Sequence, residues 1–365
     1  MCIDLISKIW LNESMLKSIL VTGGCGYVGS HTVLALLENG YKVYILDSNI
    51  NSNPNVINRL LKIISQKDKR KINNINFFKG DIRNINDLEN IFSDAISKNE
   101  KITGVIHFAG LKSIEDSIKY PFTYWENNVI GSINLLKVMK KYYCKTIIFS
   151  SSATIYANYG DTKIKEDYLI KPINPYGRNK STIELFLNDI YESEQSQWKI
   201  ISLRYFNPIG AHSSGMLGEN PIGIVNNIFP LILKVASKKI KELKIFGNDW
   251  NTRDGTCIRD YIHIMDLANG HIEALKYLQN NNPQLLNLNI GTGLGRTVLE
   301  LIKTFERANN IEIPYSFVGR RKGDREYVVA DNSLCLKILN WHPLRSLEDM
   351  CKDGWNWYLS NPNGY

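Results

Sequence analysis

The stretch Asn174-Pro175-Tyr176-Gly177-Arg178-Asn179-Lys180 holds a phenol and an ammonium four residues apart. On an α-helix such a pair shares a face. The segment carries a helix-start signal, an Asn cap followed by proline at the first helical position. Behind it Ile183, Phe186, Leu187 and Ile190 recur at helical spacing. A phenol with a pKa of about 10 is a poor base at neutral pH. An ammonium one turn away favours the phenolate. Tyr176 is therefore a candidate general base for a sugar or alcohol hydroxyl, with Lys180 as its electrostatic partner. Ser152, last in the run Ser150-Ser151-Ser152, is positioned to hydrogen-bond the same hydroxyl and hold it. The pair alone equally describes a solvated helix end, so its surroundings decide.

Those surroundings read as alternating strands and helices. "SILVT" (18–22), "KVYILD" (42–47), "INFFKGD", "GVIHFAG" and "TIIFSSS" are apolar runs separated by helical patterns. This is the rhythm of a parallel, doubly wound sheet. "TGGCGYVGSH" joins the first strand to the first helix, with Gly23, Gly26 and Gly29 spaced GxxGxxG. In such a turn the first glycine makes the bend, the second admits a pyrophosphate and the third lets helix pack on strand, and the helix N-terminus faces the phosphates. Asp47 closes the second strand, where a carboxylate accepts from adenosine ribose hydroxyls and repels a 2′-phosphate. No arginine stands beside it in "DSNINS", so NAD is expected over NADP. Asp81-Ile82, Phe108-Ala109-Gly110 and Ser150 to Ser152 follow later strands, at the sheet edge where such ligands lie. Lys180 is then also in reach of the nicotinamide ribose, and NAD takes the hydride that no side chain can accept.

From about residue 207 the rhythm changes, with helical stretches "GIVNNIFPLILKVA", "LANGHIEALKYL" and "TVLELIKTFERA" among short strands and polar loops. We expect an N-terminal extension (1–17), a Rossmann-type dinucleotide-binding domain (18–206) and a smaller C-terminal α/β substrate domain (207–365). At 365 residues the chain is long enough for two cores. No apolar run is long enough to span a bilayer. The net charge of +8 is mostly scattered lysine, and the basic run at Lys67 to Lys71 reads as a solvated loop rather than a nucleic-acid site. A positive surface also suits an anionic small substrate. The six cysteines form no CxxC pair and no secretory signal precedes them, so free thiols in a reducing cytoplasm are expected. The six histidines lack metal-ligand spacing, and no metal is expected.

In order along the chain, "VTGGCGYVGSHT", "GDIRN", "HFAGLKS", "FSSSATIY", "LRYFNPIGAH", "RDYIHIMDLANGH" and "RRKGD" resemble the extended short-chain dehydrogenase/reductase family, and within it the members that epimerise nucleotide sugars at C4. The resemblance runs from about Ser18 to the C-terminus. It implies interconversion of UDP-galactose and UDP-glucose through a transient 4-keto sugar, with Ser152, Tyr176 and Lys180 as the catalytic set. It further implies that Tyr27 and Val28 contact the cofactor pyrophosphate, that Asp47, Asn51 and Ser52 line the adenosine side, and that Asp81 and Ile82 flank the adenine. Phe108, Ala109, Gly110, Lys112 and Asn127 would line the middle of the cofactor site, and Phe206 would close the nicotinamide pocket. Asn207, Asn226, Asn227, Phe246, Arg259, Arg321 and Asp324 would hold the UDP-sugar; a guanidinium fork suits a pyrophosphate. A homodimer through paired helices of the first domain is also implied.

Three departures from the family pattern stand out. Arg178-Asn179 replaces a small pair and is expected to face solvent, "IYAN" lacks a glycine common after the tyrosine, and the segment Asn53 to Asn74 is long enough to read as a surface insertion. Val328 falls where relatives carry either a bulky tyrosine or a small residue, and a small residue leaves room for an N-acetyl group, so UDP-GlcNAc and UDP-GalNAc are candidate substrates. Two alternatives compete. A nucleotide-sugar 4,6-dehydratase would need an Asp-Glu pair where Ala153-Thr154 stands, and a catalytically silent NAD-binding regulator would not need Tyr176 and Lys180.

Overall fold

A computed structural model describes residues 16–157, 160–223, 225–321 and 323–365. The expected extension lies outside these residues except for its last two, which begin the first strand. Six strands, β1 (Leu16–Thr22), β2 (Lys42–Asp47), β3 (Ile75–Lys79), β4 (Glu100–His107), β5 (Thr146–Ser152) and β6 (Lys199–Tyr205), form a parallel sheet. A later strand, β10 (Gln284–Ile290), joins beside β6, giving the order β10-β6-β5-β4-β1-β2-β3. The crossovers are α1 (Tyr27–Glu38), α2 (Asn55–Lys67), α3 (Ile85–Ser97), α4 (Gly131–Lys141) and α5 (Pro175–Ser193).

Strand alternation divides the core. Ile19, Val21, Val43 and Ile45 face α1 and α2, while Leu20, Tyr44 and Leu46 face α3, α4 and α5. Both faces are covered, which is why the strands read as continuous apolar runs. The segment read as a surface insertion is the crossover helix α2: Val56, Leu60, Ile63 and Ile64 are buried in the core, and only its polar face meets water. Its strong amphipathic spacing was hidden among Asn and Lys residues.

The remainder comprises α6 (Ile228–Ala236), α7 (Ile264–Asn280), α8 (Val298–Asn309), α9 (Ser333–Leu339) and α10 (Leu347–Ser360). In a second sheet β9 (Ile258–His263) pairs with β7 (Asn207–Ile209), β11 (Gly295–Thr297) and β13 (Tyr327–Val328), and a separate two-stranded sheet joins β8 (Leu243–Phe246) to β12 (Tyr315–Val318). Phe229, Ile232, Leu301, Phe305 and Met350 fill its core. The chain does not stay in this layer after residue 207. Helix α7 packs on α1 and leads into β10, so Ile264 to Ile290 belong to the large sheet.

Candidate active site

The strand order reverses between β1 and β4, which opens a crevice at their carboxyl ends. Gly23 turns there with φ 71°, and a Cβ on it would lie 2.7 Å from the Ala109 nitrogen. A Cβ on Gly29 would overlap the Gly23 carbonyl oxygen. These two glycines let β1, α1 and the β4 loop meet. Gly26 caps α1 with no side chain on the free N–H groups and no acidic residue in the first turn, leaving a positive helix end open to an anion. Asp47 is buried; its carboxylate accepts from the Cys25 N–H (2.9 Å), the Asn49 N–H (2.9 Å) and the Ser52 hydroxyl (2.8 Å), which anchors the glycine turn to the end of β2. Ser52 is thus a support for Asp47, while Asn51 is exposed beside it.

Other predicted cofactor residues fall around this crevice in varied roles. Phe108 and Ala109 donate their N–H groups to the Thr22 carbonyl, and Gly110 leads into a loop held by Asn128, whose Oδ1 accepts from the Leu111 N–H at 2.7 Å. Asn128 was missed in the sequence; its neighbour Asn127 instead bonds the Thr123 carbonyl within its own helical turn. The phenol of Tyr27 is buried and donates to the Gly210 carbonyl at 2.7 Å, so it ties α1 to the second layer, leaving its backbone and that of Val28 at the helix end. Lys112 pairs with Glu219 at 3.1 Å across the same gap. Asp81 is engaged by Arg83 at 2.7 Å, and Ile82 is buried against Gly131.

Tyr176, Ser152 and Lys180, the candidate acid–base residues, come together at the start of α5. Asn174 caps α5, its side chain accepting from the Gly177 N–H at 2.8 Å, with Pro175 at the first position. This fixes the first turn, and with it Tyr176. Burial pushes the Tyr176 phenol up to about 12, and a hydrogen bond from Ser152 pulls it down. Thr154 donates to the Ser152 hydroxyl oxygen from its N–H (3.2 Å) and its hydroxyl (3.0 Å), leaving the Ser152 proton free to be donated. Lys180 is buried under the same face, 5.8 Å from the centre of the Tyr176 ring, and donates to the Ser150 carbonyl at 2.6 Å. Burial brings its ammonium down to about 8. Ser152 is therefore the direct partner of the phenol, while Lys180 lies beside its ring without a hydrogen bond to it. Beneath them Tyr205 bonds His271, which is held neutral by burial and fixed by the Leu267 carbonyl.

Four of the predicted sugar-nucleotide residues, Phe246, Arg259, Arg321 and Asp324, lie together in the second layer. Arg259 lies 3.6 Å from Asp324, Arg321 lies 3.1 Å from the same carboxylate, and the Arg321 guanidinium sits 5.2 Å over the half-exposed Phe246 ring. Asp324 thus holds two guanidinium groups together, where a diphosphate can replace part of its charge. Val328, paired in register with Arg259, packs against the cluster that holds Ala153, the residue after Ser152, and Phe206. Asn207 begins β7 and Asn227 caps α6, whereas Asn226 reaches outward to Glu115 at 2.7 Å.

The family model described as GDP-mannose 4,6 dehydratase matches residues 20–354. UDP-glucose 4-epimerase 2 of Arabidopsis thaliana is 45% identical over 351 residues, covering 96% of this chain and 97% of its own. The chain belongs to the UDP-glucose 4-epimerase family. A UDP-glucose 4-epimerase of Stenotrophomonas maltophila solved with NAD and formylated UDP-arabinopyranose superposes with TM-score 0.89 at 39% identity, covering 94% of this chain and 98% of that one. One of Bifidobacterium longum in complex with NAD+ and UDP gives TM-score 0.86 at 40% identity, covering 95% and 100%.

Within the UDP-glucose 4-epimerase family, one feature of this chain differs from the sequence expectation. Asn179, expected to face solvent, is fully buried and receives the Asn128 amide at 3.4 Å; Arg178 alone is exposed. The helix register turns position 179 inward toward Asn128, a nonlocal contact that spacing on α5 does not disclose. Arg325 ties the loop after Ser152 to the second layer, donating to the Tyr156 (2.6 Å) and Ala157 (3.2 Å) carbonyls. Ala153 and Thr154 occupy the positions after Ser152, so no carboxylate stands there to eliminate water.

Proposed function

We propose that the protein is an NAD-dependent UDP-glucose 4-epimerase that interconverts UDP-galactose and UDP-glucose. The observation that carries this reading is the joining of Tyr176, Ser152 and Lys180 at the carboxyl edge of the sheet that also carries the glycine-lined start of α1, in a chain similar to 4-epimerases over nearly its whole length. The residues fit a dinucleotide: α1 offers uncapped N–H groups, Gly26 leaves room above them, and Asp47 closes β2 with a buried carboxylate. Gly23, Gly26, Gly29 and the Tyr27-Val28 backbone would hold the pyrophosphate, and Asp47 the adenosine ribose. NAD, when bound, accepts hydride from the sugar C4 and returns it.

The chain's own residues do the rest. Tyr176 takes the proton of the 4-hydroxyl and later gives it back. Ser152, oriented by Thr154, donates to the phenol oxygen or the sugar oxygen as the proton moves. The buried Lys180 charge favours the phenolate. Arg259, Arg321 and Phe246 grip the nucleotide end, so the 4-keto sugar can turn over without leaving. This division assigns residues 18–206 chiefly to the dinucleotide and 207–365 chiefly to the nucleotide sugar. Purified protein given UDP-galactose and NAD should form UDP-glucose; a folded, NAD-loaded protein that forms none would overturn the reading.

Finer points of the reading have their own support. The small Val328, packed against the cluster of Ala153 and Phe206, favours UDP-GlcNAc and UDP-GalNAc as additional substrates. Ile118 (63% exposed), Phe122 (83%) and Leu185 (67%) sit on neighbouring helices, an apolar patch that supports a homodimer through this face. The five cysteines among the described residues are free, buried thiols, which suits a cytoplasmic enzyme of galactose metabolism.

A further inference from the structure

A buried ion pair that the reaction steps above do not use lies one turn below Lys180. Glu184 of α5 receives Arg204 of β6 in a fork, Nε to Oε1 at 3.1 Å and Nη2 to Oε2 at 2.8 Å. The two side chains are 6% and 2% exposed. The third nitrogen of Arg204 donates to the Tyr156 hydroxyl (2.7 Å) and the Glu166 carbonyl (2.8 Å), and Tyr156 in turn donates to Asn289 at 2.7 Å. Arg204 is therefore fixed from β6, β10 and the loop that follows Ser152.

Consider what faces Lys180. From its own helix come Tyr176 and Glu184; from β5, the Ser150 carbonyl and the Phe149 ring. From β4 comes His107, neutral because burial brings it down to about 3, and Tyr205 of β6 and Tyr124 of the short helix Pro121–Tyr124 act on the adjoining Tyr176 phenol. Burial pushes both of those phenols up, so neither is negative at neutral pH. The carboxylate whose field supports the Lys180 charge is Glu184. A Lys and a Glu at i and i+4 ordinarily pair directly. Here both carboxylate oxygens are taken by Arg204, and the ammonium points to Ser150 instead.

We propose that Glu184 and Arg204 are positioning residues for the acid–base pair: Glu184 keeps the buried Lys180 charged, and Arg204 keeps Lys180 from folding back onto Glu184. The three groups together carry one net positive charge, placed under Tyr176 where it favours the phenolate. Without Glu184 the buried ammonium would shed its proton more easily; without Arg204 a direct Lys180–Glu184 pair would cancel the charge that Tyr176 feels. The inference rests on Tyr176 and Lys180 being the acid–base pair.

The test is the titration of Lys180 by NMR on full-length protein labelled with 13C-lysine, the resonance assigned by its loss in K180R, together with kcat for UDP-galactose against pH. In E184Q the Lys180 midpoint should fall by about one pH unit, and the alkaline limb of kcat with it, because an ammonium with less support is lost at lower pH. In R204M the midpoint should rise while kcat falls. Because an unpaired buried group can unfold a chain, E184L/R204M is the second arm: replacing both members of a buried pair by apolar groups is usually tolerated. It should match E184Q in the direction of the Lys180 shift. A folded E184Q or double variant with the parent's Lys180 midpoint and pH profile, whatever its melting temperature, would make the pair purely structural and overturn the proposal. Full turnover by Y176F would instead remove the reading beneath it, whatever Lys180 does.

Discussion

At the scale of single residues, chemistry here is set by what each polar atom already touches. Tyr176 is pushed up to about 12 by burial, and Ser152 is the group that pulls it down. Removing that hydroxyl should raise the phenol further. In S152A the acid limb of kcat should therefore move to higher pH, since less phenolate exists at any given pH; an unmoved limb would separate Ser152 from the base. Thr154 donates to the Ser152 oxygen at 3.0 Å, so T154V should lower kcat several-fold, the scale of one lost neutral hydrogen bond, about 1 kcal/mol. Steady-state kinetics on UDP-galactose check both. At Val328 the question is space. V328Y should reduce the ratio of kcat/KM for UDP-GlcNAc to that for UDP-galactose by at least about tenfold, the discrimination expected when a pocket loses room for a substrate group. An unchanged ratio would show that this side chain does not meet the C2 substituent.

At the scale of elements, two helix starts carry the site. The Asn174 cap and Pro175 begin α5 so that its first turn holds Tyr176. N174A should cost about 1 kcal/mol of stability, seen as a lower melting temperature, and should also lower kcat because the frayed turn carries the base. The other start is α1, packed so closely that Gly29 has no room for a side chain against Gly23. Much of this was legible in the sequence. Glycine spacing, the Asn-Pro start and polar residues after apolar runs are local signals, and they marked out the parallel sheet, the turn that opens its crevice and the helix start that carries Tyr176. What escaped was nonlocal. The return of β10 to the large sheet depends on strand pairing across the whole chain. Burial of Asn179 depends on Asn128, and the use of Lys112 in an ion pair depends on Glu219 in the second layer. The helix of residues 55–67 was mistaken for an insertion because its apolar stripe is narrow among Asn and Lys.

At the scale of the molecule, two layers meet at one crevice and are tied there by Tyr27 to Gly210, Lys112 to Glu219 and Arg325 to Tyr156. One layer offers an anion-seeking helix end and a phenol; the other offers paired guanidinium groups. That division suits an enzyme that must hold a nucleotide firmly and a sugar ring loosely. The exposed patch of Ile118, Phe122 and Leu185 belongs to the first layer. I118D/F122D should convert a dimer to a monomer in analytical ultracentrifugation; a parent that sediments as a monomer would remove this face as an interface. The central claim is that the phenol of Tyr176 moves the proton of the sugar 4-hydroxyl. Its most direct test is turnover of UDP-galactose by Y176F, with NAD content measured on the same sample. The account predicts NAD retained and epimerisation lowered by about 10²- to 10⁴-fold. A Y176F protein that turns over UDP-galactose at the parent's rate would contradict it.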